Sequence, residues 1–417
     1  YDIQKIKNLK NFHGIAIDSR EIKKDNLFLT LKGKNNDGNK FIPKALIRGA
    51  KYIISSRISK KYKKKIIKVN NEMKFLKDYA SKKREKSLAK ILAITGSAGK
   101  TSLKNLLKSL LDNYDLTHCS PKSYNNHFGV PLSLSQLNIK HKFGIFEVGM
   151  SKKGEINNLS KLIRPHMAVI TNIGEAHIEN FKNLREIADA KGEIIKNIEK
   201  KGTIILNRDD QFFTHLANKA KMNNVKVISF GMSKNANVYP ISITKQKKNK
   251  IIKVKLNNEI MSFEVKDINI YNFLSSLTIL KELNLNIHKV KKYYKNYKLS
   301  EGRGRSYKIK RYKKNFNLID ESYNANPLSV KNAIKNFNLI KKNNFKKYLI
   351  LGDMLELGEK SEILHKNLSK VINNSDIDKV FIKGDKTLFT YKKLKKNKQG
   401  NIFQHNEDVD FTLKNII

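Results

Sequence analysis

The residues Gly96-Ser97-Ala98-Gly99-Lys100-Thr101-Ser102 bring small side chains, a lysine and hydroxyls into one short stretch. Glycines at this spacing let backbone N–H groups crowd round an anion. The lysine can reach further phosphate oxygens, and the Thr101 hydroxyl is a ligand type suited to Mg2+. The pattern is Gly-x-x-Gly-Lys-Thr; Ile94 occupies the place where the longer Gly-x-x-x-x-Gly-Lys-Thr form has its first glycine. The chemistry it suggests is a nucleotide-phosphate cradle, and a plain strand-to-helix turn is the competing reading. Further along, Glu147 ends an apolar run, His177 follows Gly174-Glu175-Ala176, and Asn207 precedes Asp209-Asp210. Glu147 and His177 could ligate a Mg2+ carried by nucleotide phosphates, although a lone histidine more often serves as a hydrogen-bonded loop side chain. Lys191 lies in a helical pattern, where on its own it reads as an exposed lysine.

These residues need elements to hold them. Residues 91–94 form an apolar, partly β-branched run, and Leu103, Leu106, Leu107, Leu110 and Leu111 recur at helical spacing, which predicts strand, tight loop and helix. From about 87 to 297 strand-then-helix units repeat, implying a mostly parallel sheet with helices on both faces and ligands beyond the carboxyl ends of the strands. Three such ends, at Glu147, before His177 and at Asn207, are expected to face the phosphate loop. An Asn257-Asn258 pair between alternating runs predicts a hairpin over 250–265.

The first segment, to about residue 90, reads as a small α/β unit without a catalytic constellation of its own. Within it, Asp18-Ser19-Arg20 reads as a turn with a local Asx-type hydrogen bond, and the lysine-rich helix near 78–86 reads as a linker. The last segment carries Glu301-Gly302-Arg303-Gly304-Arg305. Two polar loops then follow strands: Asp320-Glu321-Ser322-Tyr323-Asn324-Ala325-Asn326-Pro327 and Gly352-Asp353-Met354-Leu355-Glu356-Leu357-Gly358.

Length and composition bound the rest. A chain of 417 residues exceeds one ordinary core and suggests two to three domains. No apolar run approaches a membrane span, and the start, Tyr1-Asp2-Ile3-Gln4-Lys5, lacks the apolar segment of a signal peptide, so a soluble, cytoplasmic protein without membrane insertion is expected. The single cysteine, Cys119, cannot form an internal disulfide and excludes a cysteine-based metal cage. The formal charge of +48 invites a nucleic-acid hypothesis. Its lysines, however, are spread along the chain in small clusters such as Lys60-Lys61, Lys63-Lys64-Lys65, Lys82-Lys83 and Lys247-Lys248. We read them as a solvated, compositionally biased surface with no specific nucleic-acid partner.

In order along the chain, Asp18-Ser19-Arg20, the phosphate loop with Thr95 and Tyr124-Asn125-Asn126 with Gly129-Val130-Pro131 resemble the motifs of the Mur ligases of peptidoglycan synthesis. So do Glu147-Val148-Gly149-Met150, Asn172 to His177, Ala190-Lys191-Gly192-Glu193-Ile194, Gly302-Arg303, Tyr323-Asn324-Ala325-Asn326-Pro327 and Gly352 to Gly358. The last two signatures are most similar to the MurF-type branch, which joins D-alanyl-D-alanine to UDP-N-acetylmuramoyl-tripeptide.

The resemblance implies an α/β protein of three domains: 1–88 for the uridine nucleotide, 89–297 as a P-loop ATPase-like domain for ATP, and 298–417 as a Rossmann-like ligase domain. It also implies an ATP-dependent ligase forming an acyl phosphate, with Mg2+ as cofactor, acting as a monomer. Gly96, Ser97, Ala98, Gly99, Lys100, Thr101 and Ser102 would cradle the phosphates. Thr101 and Glu147 would hold one Mg2+, and His177 a second together with Lys191 carbamylated on its amine. Asn207 and Asn272 would lie near the adenine; Arg303, Asp320 and Glu321 would reach phosphate and ribose from the third domain. Ser19 and Arg20 would serve the uridine nucleotide, Asn125 and Asn126 the muramyl substrate, and Tyr323, Asn324 and Asn326 the bound substrates. The family pattern also leads one to expect a further strand and a Lys-Gly-Ser loop beyond Asp408, so the third domain is expected to be truncated. Other ligases of the superfamily, folylpolyglutamate synthase included, and a basic nucleic-acid-binding P-loop ATPase are the rival readings.

Overall fold

A computed structural model describes residue 4 and residues 12–33, 36–246, 249–311, 313–342 and 344–416. Tyr1 to Ile3 and Lys5 at the start, Asn35, and the Lys247-Lys248 cluster lie outside the described residues.

The first domain carries four parallel strands in sequential order, β1 (Ile15–Ala16), β2 (Leu27–Leu29), β3 (Tyr52–Ser55) and β4 (Ile66–Lys68). Asp18 caps the turn that follows β1, accepting from the Arg20 N–H at 2.9 Å as an Asx turn should. The helix Glu72–Glu85, expected as a linker, is instead packed on both neighbours. Phe75 and Leu76 belong to the first domain's core, Ala80 belongs to the central one, and Arg84 is buried. Its apolar residues lie on one stripe, which the lysines of its other face obscure in the sequence.

The central domain is built on a nine-stranded sheet. Its members are β5 (Lys90–Thr95), β6 (Thr117–Cys119), β7 (Phe143–Glu147), β8 (Met167–Ile170), β9 (Thr203–Asn207), β10 (Lys226–Phe230), β11 (Val238–Gln246), β12 (Asn249–Leu256) and β13 (Glu259–Val265). The spatial order is β13-β12-β11-β10-β9-β8-β5-β7-β6, parallel from β6 to β11 and antiparallel through β12 and β13. Strand β5 is covered on both faces: Ile91 and Ala93 enter one hydrophobic cluster, Leu92 and Ile94 the other. That is why its sequence is continuously apolar rather than alternating. The expected hairpin turns at Asn257, whose φ of 54° is left-handed. The chain leaves β5 toward β6 on one side and returns to β8 on the other, so the crevice of the sheet opens at the carboxyl end of β5.

The third domain has an antiparallel pair, β14 (Arg305–Arg311) and β15 (Lys314–Asp320), and a parallel three-stranded sheet, β16 (Tyr348–Gly352), β17 (Lys379–Lys383) and β18 (Gln399–Phe403), with helices between its strands. It is docked on the central domain: a Cβ on Gly174 would meet the Leu328 side chain at 2.7 Å. No helix among the described residues is long and apolar enough to cross a membrane.

Candidate active site

Strand β5 ends at Thr95, the chain turns at Gly96 with φ 142°, and the helix Lys100–Leu111 starts after Gly99 with φ 85°. Glycine is required at Gly96, because a Cβ there would lie 1.9 Å from Thr171 Oγ1. The loop is held from β8's end. Ser97 N–H donates to Asn172 O at 3.0 Å, Ala98 N–H to Asn172 Oδ1 at 2.8 Å, and Thr171 Oγ1 donates to Ala98 O at 2.6 Å. No side chain caps the helix Lys100–Leu111, so its first-turn N–H groups and partial positive charge face the cleft.

Lys100 donates from Nζ to Gly96 O at 2.7 Å. Burial holds its amine below the usual lysine value, the Glu147 charge opposes that, and Arg303 adds to it. Thr101 Oγ1 donates to Glu147 Oε2 at 2.8 Å, and Asn125 Nδ2 donates to Glu147 Oε1 at the same distance. From the third domain, Arg303 Nη2 donates to Thr101 Oγ1 at 3.1 Å while its guanidinium stacks 4.0 Å from the Tyr323 ring centre. Asn326 Nδ2 donates to Ser97 O at 3.2 Å, and the Tyr323 hydroxyl donates to Ser123 Oγ at 2.6 Å.

His177 has φ 57°, and its Nδ1 is buried. Glu356 Oε2 approaches that nitrogen to 2.6 Å without the alignment a hydrogen bond needs, leaving Nδ1 without a proper partner. Burial lowers the imidazole pKa, Glu356 opposing and Lys191 and Lys100 assisting. Lys191 is 1% exposed, which overturns the reading of a surface lysine: Ile187, Ala188 and Ala190 on its helix are buried beside it. Burial, then the Lys100 charge, hold its amine far below the ordinary lysine value, and it has no carboxylate partner among the described ion pairs.

A cavity of about 1300 Å³ joins these groups. Ser97 to Thr101, Asn125, Asn126, Glu147, His177, Arg303, Tyr323, Asn324 and Asn326 all line it. Ser102, Lys191, Ser19, Arg20, Asn207, Asn272, Asp320 and Glu321 do not. Asn272 stands just behind the loop, its Oδ1 3.1 Å from where a Cβ on Gly99 would sit. Asn207 braces the neighbouring strand end, donating to Thr171 O at 3.3 Å, so of the three strand ends only the Glu147 and His177 ones open on the cavity. Asp320 accepts from Gly302 N–H and Ser322 N–H at 2.9 and 3.0 Å. Burial raises the Glu321 carboxyl. The exposed Arg20 guanidinium grips Asp18 at 2.7 Å, beside Glu21, which Lys122 and Tyr124 of the central domain contact. Ser123 and Thr171, which no motif singled out, contact the loop or its hydroxyl; their generic residue types carried no signal.

The donor set suits Mg2+ at Thr101 and Glu147: a hydroxyl and a carboxylate, both oxygen, beside a space for phosphate oxygens. Among the described residues no cluster of three or more His, Cys, Asp or Glu could form an all-protein cage, and Mg2+ does not need one. At the second position the orphaned His177 Nδ1 fits a metal, whereas Lys191 supplies an oxygen only if its amine is carbamylated.

Three family models cover nearly the whole chain: the Mur ligase family, catalytic domain, matches residues 11–93; the Mur ligase middle domain, 94–280; and the Mur ligase, glutamate ligase domain, 304–411. The chain is 34% identical over 409 residues to the UDP-N-acetylmuramoyl-tripeptide–D-alanyl-D-alanine ligase of Rickettsia prowazekii, covering 97% of this chain and 90% of that protein. A crystal structure of MurF from Acinetobacter baumannii superposes with a TM-score of 0.85 at 25% identity, covering 96% of this chain and 86% of that one. MurF of Thermotoga maritima in complex with ADP shares the fold, with a TM-score of 0.82 at 24% identity over 97% of this chain and 91% of that one.

Proposed function

The chain belongs to the Mur ligase family, and from that premise we propose that it joins D-alanyl-D-alanine to UDP-N-acetylmuramoyl-tripeptide, driven by ATP, in peptidoglycan precursor synthesis. It is an ATP-dependent carboxylate–amine ligase. The observation that carries this reading is the convergence at Thr101. That hydroxyl, on the phosphate-loop helix, donates to Glu147 and accepts from Arg303 of the third domain.

A carboxylate does not condense with an amine in water, because oxide is a poor leaving group. In the proposed reaction the tripeptide's terminal carboxylate attacks the γ-phosphorus of ATP, forming an O–P bond as the bond to the β–γ bridging oxygen breaks and ADP leaves. The free amine of D-alanyl-D-alanine then attacks the acyl carbon, inorganic phosphate departs with its oxygen, and the amide nitrogen loses its extra proton. The two reacting anions repel, and Lys100, Arg303 and the open helix N-terminus offset that repulsion. Mg2+ bound by Thr101 and Glu147, with a second ion on His177 and carbamylated Lys191, would supply further charge neutralisation at the phosphoryl group. Closure of the third domain, through Tyr323 on Ser123 and Asn326 on the loop, positions the reactants and excludes water.

The remaining roles belong to the same proposal. The stretch Gly96 to Ser102 cradles phosphate through Ser97 to Thr101, which line the cavity, and Asn272, close behind Gly99, is nearer the loop than Asn207. Asn125, Asn126, Tyr323, Asn324 and Asn326 face the space for the peptide and dipeptide. Ser19 and Arg20 serve the uridine nucleotide from the first domain. Asp320 and Glu321 reach a ribose only by sharing Asp320's existing hydrogen bonds. Domain limits near 88/89 and 297/298, supported by the separate sheets, cytoplasmic location and a monomeric state complete it. The test is phosphate release by the purified protein with Mg2+-ATP. Release is expected only when UDP-muramyl tripeptide and D-alanyl-D-alanine are both present. Equal turnover without either, or with DNA in their place, overturns the reading.

A further inference from the structure

Lys104 lies one turn beyond Lys100 on the helix Lys100–Leu111 and is 1% exposed, yet the reaction outlined above gives it no task. A buried ammonium is costly unless its protons are placed. Here Nζ donates to Ser120 O at 2.7 Å and to Lys122 O, and it stands 3.9 Å from Glu147 Oε2. The loop it holds, residues 120–126, touches groups from all three domains. Ser120 Oγ accepts from the Glu147 N–H at 3.3 Å, and Asn125 donates to Glu147 Oε1 at 2.8 Å. Ser123 meets Tyr323 of the third domain, and Tyr124 donates its hydroxyl proton to Glu21 of the first domain at 3.2 Å. The backbone of this loop is therefore the common support for groups from three domains, and Lys104 fixes it from beneath at two carbonyls.

We propose that Lys104 is a positioning residue for the ligation, an inference that rests on the function proposed above: its ammonium pins the 120–126 loop to the phosphate-loop helix, holding Glu147 and its partners in register. Removing it takes the ammonium donor from both carbonyls, leaving Ser120 O with only the weak Cys119 thiol as a donor among the described residues, and frees the loop to shift. A displacement of about 1 Å at the reacting groups costs on the order of a hundredfold in rate.

The test uses the full chain with Lys104→Met, which keeps the volume and removes the donors, and Lys104→Gln, which keeps one shorter donor. Hydrogen exchange is expected to quicken by about tenfold or more at residues 120–126, with the strands of the central sheet unchanged. kcat/KM for Mg2+-ATP is expected to fall by about a hundredfold in Lys104→Met and by less in Lys104→Gln. The loss should combine less than multiplicatively with that of Asn125→Ala, since both act through one loop. Where Lys104→Met does not fold, Lys104→Gln carries the same exchange and coupling measurements. Unchanged exchange at 120–126, kcat/KM within about twofold of the parent, or fully multiplicative losses overturn the inference. A parent protein that fails to ligate overturns the functional reading alone, and the exchange measurement still decides the role of Lys104.

Discussion

The Thr101 hydroxyl and the Glu147 carboxylate, 46 residues apart in the chain, are joined by a 2.8 Å hydrogen bond. The bond ties the first turn of the phosphate-loop helix to the end of β7. Both groups are buried, so each orients the other toward the same cleft.

Replacing Lys100 by Met, or Glu147 by Gln, removes a charge that, in the reaction proposed above, acts on the transferring phosphoryl group. The expected loss in kcat is about a thousandfold for each, in the range seen when one preorganised electrostatic group is deleted. The melting temperature should hold or rise in Lys100→Met, since among the described residues the half-buried amine has only the Gly96 carbonyl as a hydrogen-bond partner and desolvation already disfavours its charge. Phosphate-release kinetics and thermal melts on the same samples check both statements.

Gly96→Ala is expected to destabilise by about 3 kcal/mol, the sum of a strained φ and an overpacked Cβ. The φ of 142° and the 1.9 Å approach to Thr171 Oγ1 leave a methyl no room. Urea unfolding measures the loss, and nucleotide affinity should fall with it.

Arg84→Met tests whether the helix Glu72–Glu85 is structural. Arg84 donates to Ile163 O and Arg164 O at 2.7 Å each, and Glu199 lies 3.4 Å away. Leaving those carbonyls without their donor should cost about 3 kcal/mol in unfolding free energy. A value near zero would mean that Arg84 adds nothing to the docking that Phe75, Leu76 and Ala80 make.

His118 makes stability depend on pH. Burial, aided by nearby His141, pushes its imidazole down to about 4. The unfolded chain takes up a proton near the ordinary value of about 6.5, which the folded chain refuses until the pH reaches the lower value, so stability is full above the ordinary value and falls as pH drops between the two. His118→Gln should flatten this decline, by up to roughly 3 kcal/mol at the acid end. Urea midpoints for both proteins across that pH range settle the sign.

The phosphate loop was legible because its meaning is local. A β strand buried on both faces is apolar throughout, a loop that crowds N–H groups needs glycine, and an amphipathic helix repeats its leucines; all three lie within residues 91–111. The helix Glu72–Glu85 was misread for the opposite reason. Its lysines are numerous enough to hide both its apolar stripe and Arg84, whose hydrogen-bond partners, the Ile163 and Arg164 carbonyls, lie far off in the chain. Taken by itself Lys191 reads as exposed, since a lysine in a helical pattern looks the same whether its helix faces water or the core, and only the family resemblance gave it a place in the site.

By itself the chain's order of residues determined the strand–loop–helix units, the mostly parallel sheet, the hairpin at Asn257 and the family motifs, because these depend on neighbours and on short-range periodicity. Only the tertiary structure decided that Arg303 reaches Thr101 across 202 residues, that Lys191 and Lys104 are buried, and that Asn207 turns to Thr171 while Glu147 and His177 face the cleft. Burial and contact across domains follow from how sheets stack and domains dock, and no single stretch of sequence contains both sides of those contacts.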